Sequence, residues 1–238
     1  MYYDPRTCFS GMHDLKRKTG AKMKDIREFL EKQDVYTLHK PILKTYAKRR
    51  VQVSDIDEQF QADLIDMQKF KSANNNVNYA LTVIDVFSKK AWAIPIQRKT
   101  GSEICEAFRT IFAERIPLRI QTDKGTEFIN KDTQAFFKKH GVTWFTTQGD
   151  TKCQIVERWN RTLKTKMWKY FTANNTRKWI DVLPKLVENY NTSYHRSIKM
   201  TPNEASLKKN KHLVFHNLYG KIADVKKKST IKSETKYV

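Results

Sequence analysis

Three carboxylates stand out by type and spacing: Asp63, Asp123 and Glu157, with 59 residues between the first two and 33 between the last two. Asp63 lies in the run FQAD, Asp123 closes LRIQTD, and Glu157 opens IVERWNRTLK. Acids on neighbouring strand positions and at an adjoining helix start can bring their carboxylates to one point. Such a cluster repels itself unless cations fill it, and hard oxygen ligands select Mg²⁺ or Mn²⁺. Two such ions can activate a nucleophile and stabilise the leaving oxygen of a phosphodiester. The chain holds 25 acids, which offer many trios, so spacing alone does not single this one out.

Neighbouring acids compete for the same role. Asp66 is three residues from Asp63 in an expected strand, so the two side chains point to opposite faces. Asp85 ends an expected strand before a turn, where Asp commonly accepts from backbone amides. Glu127, four residues past Asp123, is expected to face solvent. Around Glu157, the helical period puts Glu157, Asn160, Arg161 and Lys164 on one face and Val156, Trp159, Leu163 and Met167 on another. The second stripe is a core face. The first is a carboxylate followed by donors, suited to gripping phosphates beside a scissile bond. Cys153 precedes that helix without a partner base, which argues against a thiol nucleophile. His195 is expected to cap a helix end, and Trp144, Trp168, Tyr170 and Phe171 to pack in the core. Gly149, in the preceding loop TQGDTKCQ, supplies backbone freedom for admitting a substrate.

The elements that must position these residues follow from periodicity. FQADLIDM, NYALTVIDVF and AWAIPI are short, β-rich runs separated by polar turns. Ser102 to Ile116 has helical spacing and stops before Pro117. LRIQTD reads as a strand, Asn130 to His140 as a helix ended by Gly141, and VTWF as a strand. Residues 152–172 and 177–191 read as helices. Three strands, a helix, a strand, a helix and a strand predict an α/β domain with a mixed five-stranded sheet flanked by helices.

The flanks differ from this middle. Ser10 is placed to cap a helix that stops at Gly20, and a second run (Met23, Ile26, Phe29, Leu30) has helical spacing. Two short helices about a Gly turn resemble a helix-turn-helix, with Lys22, Lys24 and Arg27 on the second as candidate DNA contacts. Residues 44–50 (KTYAKRR) read as a basic linker. Residues 207–238 read as a basic tail, the lead-in to a further domain.

The 238 residues carry 46 Lys+Arg against 25 Asp+Glu, a formal charge of +21. The excess is dense at the ends: residues 1–50 hold 13 basic and 6 acidic side chains, and residues 207–238 hold 9 and 2. Basic arms on a milder core suit a polyanion such as nucleic acid. A hydrophobic share of 39% excludes a disordered chain. No run approaches the ~18 apolar residues of a membrane span. Three scattered cysteines exclude a disulfide framework. No GxxxxGK[ST] is present, so no nucleotide cofactor is implied.

The stretches FQAD, QTDKGTEF and IVERWNRTLK, followed by ENYN and HRSIKMTP, resemble the catalytic core of retroviral and retrotransposon integrases. YYDP, DVYTLHKP, QADLIDM, VIDVFSKKAW and KMWKYFTANNTRKWIDVLPKLV are most similar to the integrases of Maverick/Polinton DNA transposons. The likeness extends to about Leu218. It implies an RNase H-like catalytic core over residues 51–206, with Asp63, Asp123 and Glu157 as catalytic and metal-holding residues for two Mg²⁺ or Mn²⁺ ions. It implies 3′-end processing and strand transfer of element DNA into target DNA, self-association into a homo-oligomer, and a nuclear place of action. Phe60 stands where the family usually has Trp, and the second acid interval is shorter than the usual 35. Two other readings use the same residues: an RNase H-like nuclease that hydrolyses without joining, and a decayed or domesticated copy that only binds DNA.

Overall fold

A computed structural model describes residues 2–3, 9–39, 51–146 and 153–220. The linker at 44–50, Cys8, Gly149 and the tail beyond 220 lie outside them. The sheet contains β1 (Gln59–Asp66), β2 (Tyr79–Asp85), β3 (Ala91–Ile96), β4 (Arg119–Thr122) and β5 (Thr143–Thr146). Its order is β3-β2-β1-β4-β5, which puts β1 at the centre. The first three strands form an antiparallel meander, and β4 and β5 run parallel to β1. This is the mixed five-stranded sheet that the strand runs predict.

The alternation of each strand assigns its faces. Phe60, Ala62, Leu81, Val83 and Ile120 pack on one side against Ile104, Phe108, Phe128 and Phe137. Those partners come from α4 (Gly101–Phe112), α5 (Thr126–Ile129) and α6 (Lys131–Lys139). On the other side Ile65, Ala80, Ile84 and Ala91 meet Val156, Trp159, Leu163 and Met167 of α7 (Gln154–Asn174) and Leu183 and Leu186 of α8 (Leu183–Thr192). The result is an RNase H-like α/β/α sandwich.

Local signals end the helices. α4 begins at Thr100, whose hydroxyl accepts from the Glu103 amide, and α6 at Asn130, whose side chain accepts from the Asp132 amide. α4 stops at Phe112, short of the expected Ile116. The residues before Pro117 cannot hold helical geometry freely, and the Arg115 guanidinium is instead drawn to Asp57 and the Ser206 carbonyl. At the outer edge of β3, the Asn191 side chain of α8 accepts from the Ala91 amide and donates to its carbonyl. The ENYN motif thereby covers an edge that another strand would otherwise pair.

The N-terminal helices are α1 (Met12–Thr19), α2 (Met23–Glu31) and α3 (Asp34–Thr37). Gly20 stops α1 in the left-handed conformation at φ 69, with its amide on the Lys16 carbonyl. Ser10 does not cap α1: the cap position is Gly11, and Ser10 accepts from Lys18 instead. Leu15, Ile26, Leu30 and Val35 belong to the same apolar cluster as Trp159 and Leu163. Arg17 stacks 3.5 Å from the centre of the Tyr194 ring. After α9 (Pro202–Ala205) the chain does not fade into a tail at once. Residues 211–220 are helical, Val214 is buried with Val53, Phe87 and Ile198, and Asn217 Nδ2 donates to the Ile198 carbonyl. Among the described residues no helix is long and apolar enough to cross a membrane.

Leu163 is fully buried where α7 meets the sheet. Leu163→Ala should lower stability by about 2–5 kcal/mol through lost transfer energy and the cavity left behind. Urea denaturation followed by circular dichroism checks this, and a loss near zero would show that α7 does not depend on that stripe.

Candidate active site

Asp63 stands on the central strand, on the face turned to α7. In β1 that face carries Gln59, Gln61, Asp63 and Ile65, while Phe60, Ala62 and Leu64 face the opposite layer. Asp66 falls on the far side as expected, exposed, and accepts from the Gln68 amide. The α7 stripe of Val156, Trp159, Leu163 and Met167 is buried on the sheet. Its rotation therefore aims Glu157, Asn160, Arg161 and Lys164 over Asp63.

These side chains line one cleft of about 510 Å³ with Asp63, and His39, Thr165 and Trp168 complete its wall. Asn160 Nδ2 donates to Asp63 Oδ2 at 2.7 Å. The Leu64 amide lies 2.8 Å from Asp63 Oδ1. Asn160 is buried, so its amide serves the carboxylate rather than standing free for DNA. Arg161 and Lys164 are exposed on the rim.

Asp123 lies just past the end of β4, exposed, with Oδ1 accepting from the Gly125 amide at 3.1 Å. It does not line the cleft, yet its charge reaches it. Burial pushes the Asp63 carboxyl up to about 6, with the negative charges of Asp123 and Glu157 adding to the rise and the Leu64 amide and Lys164 opposing it. The Cys153 thiol, at the cap position of α7, is pushed up to about 12 by burial and by the same three carboxylates. A thiol so held is no nucleophile at neutral pH. The charges of Asp123 and Glu157 are thus felt at Asp63, and those of all three acids at Cys153.

Among the described residues no three His, Cys, Asp or Glu side chains stand close enough to hold one ion. The donor chemistry still suits a hard divalent cation. Asp63 is a half-buried carboxylate under two like charges, and Asn160 Oδ1 is buried without a hydrogen-bond partner among the described residues. Oxygen donors with an excess of negative charge are what Mg²⁺ and Mn²⁺ prefer.

Several expectations change in three dimensions. Glu127 is buried, not solvent-facing: the short α5 turns its side chain back, and a Cβ on Gly125 would stand 2.8 Å from its carboxylate. Those atoms are the end of a flexible side chain that can shift, and the φ of −60 at Gly125 is open to any residue, so neither contact nor backbone demands glycine there. His195 caps no helix. It packs against the Tyr190 ring, and burial beside Lys89 and Arg158 pushes it down to about 4. Trp168 is half-buried against the core as expected, edge-on to Phe70, and also forms a wall of the cleft. His39 also joins the cleft, and only its place after α3 brings it there. Trp144, Tyr170 and Phe171 are buried or half-buried as expected. Asp85 is structural: it accepts from the Phe87 and Ser88 amides and the Ser88 hydroxyl. Lys22, at the N-terminal cap of α2, and Lys24 and Arg27 within it are exposed and do not line the cleft.

The raised Asp63 carboxyl gives a pH signature. The folded chain holds this proton more tightly than the unfolded chain, whose value is near 3.8. Its contribution therefore favours folding at low pH and is lost as pH rises through about 6. In metal-free buffer Asp63→Asn should be more stable than the native chain at pH 8, by at most about 3 kcal/mol. The advantage should shrink as pH falls through 6 toward 4. Urea midpoints across that range measure it, and a difference independent of pH would contradict the burial of this charge.

Residues 56–150 match the integrase core domain family. A transposon-derived protein of Caenorhabditis elegans is 36% identical over 138 residues, 57% of this chain and 48% of that relative. The Gag-Pol polyprotein of Walleye dermal sarcoma virus is 37% identical over 110 residues, which cover 44% of this chain and 6% of the polyprotein. The matched stretch thus spans about half of the first relative and a small part of the second. Among solved structures, the simian T-cell lymphotropic virus intasome in complex with a PP2A regulatory subunit aligns with a TM-score of 0.64 at 21% identity, over 82% of this chain and 68% of that one. The HTLV-2 integrase catalytic core domain in complex with magnesium aligns at 0.53 and 20%, over 63% of this chain and 97% of that one. The region 56–150 is therefore homologous to the integrase core domain of retroviral and transposon proteins.

Proposed function

We propose that this chain is a DNA integrase of the Maverick/Polinton transposon type, a polynucleotidyl transferase acting through Asp63, Asp123 and Glu157. One observation carries the reading: a half-buried carboxylate on the central strand shares a cleft with Glu157 and with the donors Asn160, Arg161 and Lys164. The transposon-derived relative supports a transposon kinship, and the Maverick/Polinton type rests on the sequence motifs.

Asp63, Asp123 and Glu157 would hold two Mg²⁺ or Mn²⁺ ions, which when bound lower the pKa of water or hydroxyl nucleophiles and neutralise charge at the leaving oxygen. The chain's own residues do the positioning. Asn160 fixes the Asp63 carboxylate through its amide. Arg161 and Lys164, one and two turns along α7 from Glu157, grip the phosphates that flank the scissile bond. Trp168 and His39 bound the cleft and limit how the DNA end enters.

The reaction has two displacements at one site. In the first, water attacks phosphorus near the element's end, and the bond to the 3′ oxygen breaks to leave a free 3′ hydroxyl. In the second, that hydroxyl attacks a target phosphodiester, and a target 3′ hydroxyl leaves. The first step hydrolyses one ester bond, and in the second one ester bond breaks as another forms, so no ATP is needed. Positioning of the two DNA partners supplies much of the rate. Pairing two element ends calls for a homo-oligomer, and the DNA substrate makes the nucleus its place of action. The exposed Lys22, Lys24 and Arg27, at the cap of α2 and within it, form a second, outlying DNA contact in this reading.

A disintegration assay tests it with little knowledge of the terminal sequence. A branched DNA mimicking the joined product is incubated with the protein and Mn²⁺ or Mg²⁺, beside Glu157→Gln. Resealed target strand from the native chain alone is the expected result. Cleavage without resealing would point to a hydrolytic nuclease, and binding without products to a domesticated DNA-binding protein. Calorimetry should also show divalent-ion binding that Asp63→Asn removes.

The rim cations give a separate test. Arg161→Ala and Lys164→Ala should each weaken binding to DNA of any sequence and reduce the slope of log K against log[salt] by about 1. Filter binding from low to moderate salt measures this, and an unchanged slope would take these side chains off the phosphates.

A further inference from the structure

Beneath the cleft, three glutamines form a buried chain. Gln59, Gln61 and Gln121 are 4%, 0% and 1% exposed. Gln59 Nε2 and Gln61 Nε2 both donate to Gln121 Oε1, at 2.9 and 2.8 Å. Gln61 and Gln121 are register partners across the parallel β1–β4 pair. Gln61 Oε1 accepts from the Ile155 and Val156 amides of α7, at 2.9 and 3.1 Å.

The last pair of bonds is unusual in origin. The first amides of a helix have no intrahelical acceptor and are normally met by the residue just before it. Here that residue is Cys153, which makes no side-chain cap. An oxygen from the central strand, 94 and 95 positions earlier, takes its place. The two amide donors fix which way the Gln61 carboxamide faces, and its nitrogen is then committed to Gln121. Burying three carboxamides is costly unless each is bonded, and apolar side chains would serve simple packing as well.

The geometry points to a role in the site. Gln61 shares its strand face with Asp63, two residues along, and the amides it holds directly precede Glu157 in the first turn of α7. We propose that Gln61 is a positioning residue that sets Glu157 against Asp63, with Gln121 holding it in place; Gln59 bonds the same Gln121 oxygen but reaches neither α7 nor a carboxylate. This rests on the reading of Asp63 and Glu157 as metal-holding carboxylates. Residues that orient the groups holding a metal, without touching it, typically matter at about 10- to 100-fold in affinity.

The test compares Gln61→Met with Gln59→Met in the full chain. Both replace a buried carboxamide by an apolar side chain of similar length, but only the first removes the acceptor from α7. Three quantities are read: Mn²⁺ affinity by calorimetry, Tm, and hydrogen exchange of the Ile155 and Val156 amides. Gln61→Met should weaken Mn²⁺ binding by about 10- to 100-fold and speed exchange at both amides. Gln59→Met, with a similar fall in Tm, should leave both nearly unchanged. Native Mn²⁺ affinity in Gln61→Met, unaltered exchange, or equal losses in the two variants would each overturn the positioning role. Absence of Mn²⁺ binding in the native chain would instead overturn the metal reading, and the positioning role with it.

Discussion

Helix α7 rests on the central strand through Val156, Trp159, Leu163 and Met167, and the direction of that stripe dictates where the opposite edge of the helix can point. Turning the helix by one residue, about 100°, would carry Glu157 away from Asp63 and bring an apolar side chain into the cleft. The apolar contact is thus a functional constraint as well as a stabilising one. It aims a carboxylate, an amide and two cations with one rigid body. The Gln61 bonds to Ile155 and Val156 fix the position of the helix start along the strand, which apolar packing by itself leaves loose.

The electrostatics of the cleft follow from this packing. Asp63 is placed where water is scarce and where Asp123 and Glu157 add negative charge, so its carboxyl is pushed up to about 6. Such an arrangement opposes folding at neutral pH, and a chain selected for stability alone would replace it. Strain of this kind is common where a site must accept positive charge or a reacting group. Arg161 and Lys164 stay at the rim and exposed. There they can meet phosphates without cancelling the negative centre.

Buried amides recur wherever distant parts of this chain must be joined with a fixed geometry. Asn74 accepts from the Trp179 and Ile180 amides and donates to the Phe70 and Arg177 carbonyls, so it ties the segment after β1 to the entry of α8. Asn191 does the same for α8 and the edge of β3. An amide side chain carries both a donor and an acceptor and no charge. It can satisfy stray backbone groups without the desolvation cost of an ion. The same device, used beneath the cleft, links strand and helix at the site.

Much of this molecule was legible in its residues taken in order. Alternation in FQADLID and TVID, helical spacing in α4 and α7, Gly20 and Pro117 are local signals, and they determined the strands, the helices and the identity of the α7 stripes. The motifs around Asp63, Asp123 and Glu157 marked the candidate acids for the same reason: each is a short run with its own composition. Tertiary structure decided the rest. β1 carries Gln59, Gln61 and Asp63 on one face, a pattern that by itself reads as solvent-facing; only the arrival of α7, over ninety residues later, buries that face and gives Gln61 its partners. The cleft role of Trp168, the place of His39 and the helix at 211–220 depend on remote segments, which is why local signals miss them, whereas Glu127 is turned inward by the short α5 beside Gly125. Periodicity reports which side of an element is apolar. What lies against the other side is set by long-range packing, and for Asp63 that contact created both the burial and the cleft.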